Sequence, residues 1–127
     1  MTMFSHVMLG VNDIDEAKKF YDATLAVLGY REGTIDPKGR LFYFDKRGTF
    51  SLSIPIDGNP ATCGNGSTIG FAVESPEQAE AWHAAGLAHG GTAIEDPPGI
   101  REGGGMSIHL AYLRDPSGNK ICTLKRM

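Results

Sequence analysis

Two stretches of the chain repeat one order of apolar and polar positions. An apolar run at residues 7–11 leads into a segment in which apolar residues recur every three or four positions. A second apolar run at 69–73 leads into a segment with the same spacing, which includes Ala79 and Trp82. This spacing is typical of a helix with one buried face. The pattern therefore predicts a strand followed by a helix in each half.

Residues that cap helices stand at both ends of these segments. Asp13 and Ser75 each precede by three positions a Glu or Gln side chain that can reach back to the cap. Such pairs satisfy backbone N–H groups that have no partner within the first helical turn. Gly29, Gly90 and Gly91 follow the two segments, and glycine readily takes the conformation that ends a helix. The sequence thus predicts where each helix begins and ends.

Short strand-forming segments follow each helix and are separated by turn residues. Their predicted bounds are 30–34, 41–45 and 50–54 in the first half and 92–95, 107–114 and 120–125 in the second. Residues 6–32 align with 68–94 without a gap and share six identical positions, which indicates a tandem repeat. We expect one domain, 1–127, with a first β-α-β-β-β repeat at about 1–57, a linker at 58–66 and a second repeat at about 67–127. One repeat buries too little apolar surface to fold alone, so the repeats must share a core with each other or with a second chain.

Composition narrows the class of protein. Apolar residues make up 41% of the chain and charged residues 21%, which is ordinary for a globular domain and excludes a disordered tail. The net charge of −3, with scattered Lys and Arg residues, is atypical of a nucleic-acid-binding protein. No apolar run is long enough for a membrane-spanning helix. Because the first residues show no secretory signal and two cysteines make no disulfide framework, we expect a reducing, cytoplasmic location.

Glycine is the one unusual component of the composition. The chain has 17 glycines in 127 residues, against an average of about 7%. Many of them stand where a strand or helix would end, which indicates many short elements joined by tight turns. The glycine-rich segment 97–105 is predicted to be a loop, either a flap over a ligand site or a plain surface loop.

Three motifs carry a resemblance to a known family. They are Ser5-His6-Val7 at the first strand, Gly-Asn-Gly-Ser-Thr-Ile-Gly-Phe at 64–71, and Arg-Asp-Pro-Ser-Gly-Asn-Lys-Ile at 114–121. With these motifs in this order on a tandem repeat, the chain resembles the vicinal oxygen chelate superfamily, which includes glyoxalase I and the bleomycin-resistance proteins. The resemblance covers nearly the whole chain. It implies an α+β fold in which two βαβββ modules form a curved eight-stranded cup for a small ligand, commonly completed across a homodimer.

The resemblance also implies where a metal ion would bind. Metal-dependent members hold a divalent ion such as Zn, Ni, Mn or Fe with a His of the first strand, a His of the fifth and a Glu of the last. Here these positions hold His6, Thr68 and Cys122. Because a neutral hydroxyl is a poor ligand and one His with one Cys is an incomplete set, we expect no cofactor, and His6 is only a weak candidate ligand. The alternative is a divalent metal held by a second subunit or by other groups, such as His109 with Glu102.

Strand alternation predicts which side chains face the ligand. If Val7 and Leu9 pack on the helices, His6 faces the cup. The same alternation predicts that Thr68 and Cys122 also face the cup. Tyr43 and Tyr112 of other strands add aromatic walls to the cup. The sequence leaves open whether His109 faces the cup or the helices. The candidate ligand-binding residues are therefore His6, Thr68, Cys122, Tyr43, Tyr112 and His109. The sequence assigns no catalytic residue.

Several functions fit this picture. The first is a glyoxalase- and bleomycin-resistance-like module that binds a small molecule in its cup as a homodimer, without a complete catalytic metal site and with no nucleic-acid or membrane partner. The second is a metal-dependent glyoxalase-like lyase or isomerase of the lactoylglutathione lyase type. A third is a metal-free enzyme that uses His6 or His109 as a general base, since a positioned imidazole is suited to that task near neutral pH.

Overall fold

A computed structural model describes residues 3–127 of the protein. In chain order its elements are β1 (His6–Gly10), α1 (Ile14–Val27), β2 (Thr34–Ile35), β3 (Leu41–Asp45), β4 (Gly48–Ser53), β5 (Ile69–Ala72), α2 (Pro76–Ala88), β6 (Thr92–Ala93), β7 (Gly99–Gly103), β8 (Met106–Arg114) and β9 (Lys120–Arg126). The α+β class is confirmed, and each half begins with the expected strand and helix. Neither helix in the described range is long and apolar enough to cross a membrane.

Both helices begin at the predicted caps. The side chain of Asp13 accepts a hydrogen bond from the backbone N–H of Glu16 at 3.0 Å. The hydroxyl of Ser75 accepts one from the backbone N–H of Gln78 at 3.1 Å. The Gln78 side chain reaches back in turn and accepts from the backbone N–H of Glu74 at 2.7 Å. Local sequence therefore sets where each helix starts, because these bonds satisfy N–H groups of the first turn.

The first strand after α1 is shorter than predicted. The sequence suggests a strand at 30–34, whereas β2 occupies only Thr34–Ile35. The backbone N–H of Gly33 donates to the side chain of Asp22 at 2.8 Å, so this part of the chain is bonded to α1 instead of to a neighbouring strand. The other predicted strands lie within two residues of their observed bounds.

The glycine-rich segment 97–105 is not a loop. Its residues Gly99–Gly103 form β7, which pairs antiparallel with β8. Gly104 and Gly105 have positive φ at the turn that joins the two strands, a conformation that glycine adopts without strain. The described chain therefore contains nine strands instead of the expected eight, and the prediction of a loop at this place is wrong.

The strands form two mixed sheets. The first has the order β1-β4-β3-β2, and the second has the order β5-β9-β8-β6, with β7 also paired to β8. In the first sheet β1 runs parallel to β4, and in the second β5 runs parallel to β9. Within residues 3–127, β1 pairs only with β4 and β5 only with β9, so each leaves one edge unpaired. The sheets are curved and do not close into a barrel.

One core lies between the two helices and the inward faces of both sheets. Its largest fully buried side chains include Trp82, Tyr21, Phe20, Leu25, Leu41 and Leu52. The helices come close at Gly86, where a Cβ atom would collide with Leu113 and would lie 3.2 Å from Phe20. Both halves contribute to this buried cluster, so the repeats share a core within one chain and are held together by apolar burial.

We call the faces that point away from this core the outer faces. The rows of cross-strand neighbours on the outer face of the first sheet are His6, Thr49 and Phe44, then Met8, Ser51 and Phe42. Those on the second sheet are Gly70, Cys122 and Tyr112, then Ala72, Leu124 and Leu110. Leu9 and Val11 lie against the core, as strand alternation predicts.

Candidate ligand-binding site

The turn between β8 and β9 fixes the position of the second sheet against the first. One oxygen of Asp115, which is 3% exposed, accepts from the backbone N–H groups of Ser117 and Asn119 at 2.9 Å. Its other oxygen accepts from the Tyr21 hydroxyl at 2.7 Å, and burial raises the pKa of that hydroxyl, which keeps it a donor. The Asn119 amide donates to the carbonyl oxygen of Gly10 at 2.8 Å. The start of β9 is therefore tied to α1 and to the end of β1.

The outer face of the first sheet exposes apolar side chains beside a histidine. Met8 is 43% exposed and Phe44 is 65% exposed. The ring of His6 is also exposed, and its Nδ1 atom lies 2.8 Å from the hydroxyl oxygen of Ser5. Alternation along β1 places His6 and Met8 on the same side of the sheet. This face offers a ligand an apolar surface with one imidazole at its end.

The outer face of the second sheet centres on Cys122 and Tyr112, which are cross-strand neighbours. Gly70 is the neighbour of Cys122 on the other side, and a Cβ atom there would lie 3.3 Å from the sulfur. The ammonium of Lys120 lies 4.9 Å from the centre of the Tyr112 ring and forms an ion pair with Glu95. Burial raises the pKa of the Cys122 thiol to about 11, so the thiol is protonated near neutral pH.

The other predicted residues lie elsewhere. Tyr43 is on the inward face of β3, where its hydroxyl donates to Asp22 at 2.8 Å. His109 is on the inward face of β8 and is 3% exposed, so it does not reach an outer face. Thr68 is exposed and precedes β5 by one residue. Of the six candidates, only Cys122 and Tyr112, on the outer face of the second sheet, are cross-strand neighbours.

A cleft of about 380 Å³ lies between the first sheet and β5, and its lining includes outer-face residues, among them His6, Phe44 and Gly70, as well as inward ones. Its apolar walls include Val7, Leu25, Phe50, Ile69 and Phe71. His6 and Tyr43 also line it, but the Tyr43 hydroxyl is bonded to Asp22, and Asp45 pairs with Arg47 at 3.4 Å. A specific ligand site needs a few polar groups that are free to orient the ligand. The exposed imidazole of His6 belongs to the outer face as well as to this cleft, and the Tyr112 hydroxyl and the Lys120 ammonium lie on the outer face of the second sheet, so the outer faces are the better candidate.

Sequence reasoning missed charged residues around Tyr112. The guanidinium of Arg101 on β7 donates to the carbonyl oxygens of Asp96 and Pro97 at 3.0 and 3.1 Å. The charges of Arg101 and Glu95 both act on the Tyr112 hydroxyl. Because the segment that holds Arg101 is predicted to be a loop, the sequence does not predict which side of a sheet the Arg101 side chain faces. Only the pairing of β7 with β8 places it on the outer face.

The residues at the three metal positions of the resemblance do not fit a metal centre. His6 supplies an imidazole, but Thr68 supplies only a neutral hydroxyl. Cys122 supplies one thiol, and one imidazole with one thiol is an incomplete set of ligands. Within residues 3–127, no group of three or more His, Cys, Asp or Glu side chains is arranged to hold a metal ion.

Comparison with known proteins establishes the family. The family model of the Glyoxalase/Bleomycin resistance protein/Dioxygenase superfamily matches residues 3–123, so the chain belongs to this superfamily. This confirms the resemblance that the sequence motifs indicate and the glyoxalase/bleomycin resistance fold. A search of curated proteins finds no significant match.

Solved structures agree with this assignment. The chain is 58% identical to a glyoxalase/bleomycin resistance protein from Albidiferax ferrireducens T118, with a TM-score of 0.93 over 97% of this chain and 98% of that one. A glyoxalase/bleomycin resistance protein/dioxygenase family enzyme from Burkholderia phytofirmans PsJN matches at 19% identity and a TM-score of 0.73, over 97% and 98% of the two chains. A glyoxalase-related enzyme from Fulvimarina pelagi matches at 16% and 0.71, over 98% and 88%. At these low identities the last two show a common fold alone.

Proposed function

We propose that the protein binds a small molecule in a cup lined by the outer faces of its two sheets. The observation that carries this proposal is that each outer face leaves apolar or aromatic side chains at least partly exposed beside polar groups. Met8 and Phe44 on one face are more than two-fifths exposed, and Tyr112 on the other is only partly buried. Surfaces of this kind in a stable domain mark binding sites.

A second copy of the chain is the partner that completes the cup. Both outer faces point away from the shared core, so the faces of one chain do not enclose a ligand between them. Strands β1 and β5 each have an unpaired edge, and unpaired edges favour contact with another strand. A two-fold axis that sets β1 of one copy beside β5 of the other uses both edges and makes two equal cups.

The proposed binding needs no metal. At the three positions that the family uses for a metal ion, this chain has one imidazole, one neutral hydroxyl and one thiol, which is an incomplete set of ligands. The protein therefore sequesters or senses its ligand in this proposal. Both cysteines, the exposed Cys63 and the buried Cys122, are free thiols, which supports action in the reducing cytoplasm.

A metal titration separates this function from that of a metal-dependent glyoxalase-like lyase or isomerase. We expect the thermal unfolding of chelator-treated protein to change little on addition of Ni, Zn or Mn. A site filled at 100 times its dissociation constant would stabilise the fold by about 2.7 kcal/mol. A large and saturable stabilisation of the wild-type protein would overturn the metal-free proposal and support the lyase or isomerase.

A double variant is the matched control for this titration. Thr68→His with Cys122→Glu restores the donor set of metal-dependent family members, so we expect it to gain stability on metal addition, measured against its own metal-free form. The gain should saturate with metal concentration, as a specific site requires. No gain would mean that these positions do not converge with His6 in the assembled cup.

A further inference from the structure

The two outer faces differ in charge. Along the strands of the second sheet, every charged side chain on the outer face is basic, and these residues are Arg101, Arg114, Lys120 and Arg126. The corresponding strand positions of the first sheet hold no Lys, Arg, Asp or Glu residue. The whole chain carries a net charge of −3, so the charge of these strand positions is opposite in sign to the net charge of the protein. Such a face attracts anions.

Most of this positive charge has no carboxylate partner. Within the described residues, Arg101, Arg114 and Arg126 form no ion pair, and Lys120 alone is paired, with Glu95. The Arg101 guanidinium is held by two backbone carbonyl oxygens, which are neutral acceptors and leave its charge uncompensated. A guanidinium fixed in this way loses little side-chain entropy when an anion binds.

The Tyr112 hydroxyl lies within reach of this charge. Burial and the nearby Glu95 carboxylate raise its pKa, and the charges of Lys120 and Arg101 act on it in the opposite direction. The ammonium of Lys120 is 4.9 Å from the centre of the Tyr112 ring. Among residues 3–127 the hydroxyl makes no hydrogen bond, so it is free to donate one to a ligand oxygen. Arg101, the Lys120–Glu95 ion pair and one hydroxyl donor therefore lie around one place on the outer face, and Arg101 is the cation there without a carboxylate partner among residues 3–127.

We propose that the ligand of the cup is a small organic anion whose carboxylate or phosphate group binds between Arg101 and Lys120 and accepts a hydrogen bond from Tyr112. This inference rests on the proposed function and names the chemical class of its ligand. Bonds of this type are charge-assisted and are stronger than neutral ones. The apolar part of the ligand faces the exposed Met8 and Phe44 side chains of the partner copy. A cationic guest would meet repulsion from the same face.

Three probes with one ring and different charges test the inference. Benzoate, benzamide and benzylamine are titrated into the full-length protein, and binding is followed by the backbone amide NMR signals of Gly70 and Tyr112. We expect benzoate to bind about tenfold more tightly than benzamide, the ratio given by one charge-assisted bond. Benzylamine should bind most weakly. The benzoate affinity should fall as salt is added, because a charge pair is screened.

Two variants locate the effect. Arg101→Gln keeps a hydrogen-bond donor and removes the charge, so it should abolish the preference for benzoate over benzamide. Lys38→Gln removes a charge from an exposed turn of the first half and should leave that preference unchanged. Denaturant unfolding of both variants shows whether the fold is intact. A preference for benzoate that survives Arg101→Gln would overturn the assignment of Arg101.

The outcomes separate the ligand class from the cup itself. If benzylamine binds as well as benzoate and shifts the same two amide signals, the proposed preference for anions is wrong, while the proposed ligand-binding cup is supported. If benzoate binds but the shifts lie only at residues outside the outer faces, both the anion site and the proposed cup are wrong. If no probe binds, the anion is overturned, and the metal titration still tests the proposed function.

Discussion

At the scale of single residues, Asp115 is the side chain at which contacts between the two halves converge. It accepts four hydrogen bonds, from Tyr21, from the amide of Asn119 and from two backbone N–H groups of its own turn. Because the carboxylate is 3% exposed, water cannot replace a lost partner easily. The turn motif that carries the family resemblance is thus also the joint between the sheets.

Removing one of these donors should destabilise the protein. Tyr21→Phe deletes the 2.7 Å bond to Asp115 and keeps the ring, so we expect a loss of about 1.5–3 kcal/mol in the free energy of unfolding, measured with urea. Tyr30→Phe is the matched control, because the Tyr30 hydroxyl is 3.5 Å from Asp45 in an exposed contact. Equal losses for the two variants would contradict this role of Asp115.

The Cys122 thiol should be unreactive, and its ionisation should lower the free energy of unfolding at alkaline pH. Its pKa of about 11 exceeds the usual 9.0 because the thiol is buried, so the unfolded chain ionises first. Folding stability should therefore fall as pH rises from 9 to 11. Tyr21 and Tyr43 also have raised pKa values from burial, so the measurement is the difference between wild type and Cys122→Ala.

A thiol-alkylation assay gives an independent check on the same cysteine. In a Cys63→Ser background, iodoacetamide at pH 8 should modify Cys122 much more slowly in the folded protein than in urea. Cys63 is exposed and should react quickly in a Cys122→Ser background. Rapid modification of Cys122 in the folded state would contradict its burial.

At the scale of elements, the contact between the two helices depends on Gly86. A Cβ atom there would collide with Leu113 and crowd Phe20 and Thr24 of the other packed elements. We expect Gly86→Ala to destabilise the protein by about 1–3 kcal/mol, although alanine favours helices, because overpacking a filled core outweighs propensity. Gly103→Ala is the control in thermal unfolding and should cost nothing, since no atom lies within 4 Å of its added Cβ.

Elements that depend on local sequence could be predicted, whereas an element that depends on pairing with a distant strand could not. Caps and helix ends act within a few residues, so Asp13 and Ser75 predict both helix starts correctly. Alternation also places His6 on the opposite side of β1 from Leu9, which packs against the core, while the prediction that His6 and Cys122 face a ligand cup stays a prediction. The strand β7 could not be predicted, because its glycine-rich sequence has no strand pattern and it forms by pairing with β8. For this reason the sequence does not predict that Arg101, which β7 carries, lies on the outer face.

At the scale of the whole molecule, one shared core explains why a single chain does not enclose a ligand. Apart from the cleft beside β5, the inward faces of both sheets pack in the shared core, and the outer faces of one chain point away from that core. Whether the repeats pair within a chain or across two could not be decided from the sequence, because both arrangements bury the same inward residues. The unpaired edges of β1 and β5 favour pairing across two chains.

A cross-linking experiment tests the two-chain cup most directly. His6→Cys and Thr68→Cys are introduced together into a Cys63→Ser, Cys122→Ser background, with each single-cysteine chain as a control. After treatment with a short bifunctional thiol reagent, the mass is measured under denaturing conditions. We predict covalent dimers from the double variant, because the proposed two-fold arrangement sets strand β1 of one copy beside strand β5 of the other. Chains linked only internally, or a protein that light scattering finds monomeric at every concentration, would contradict the account.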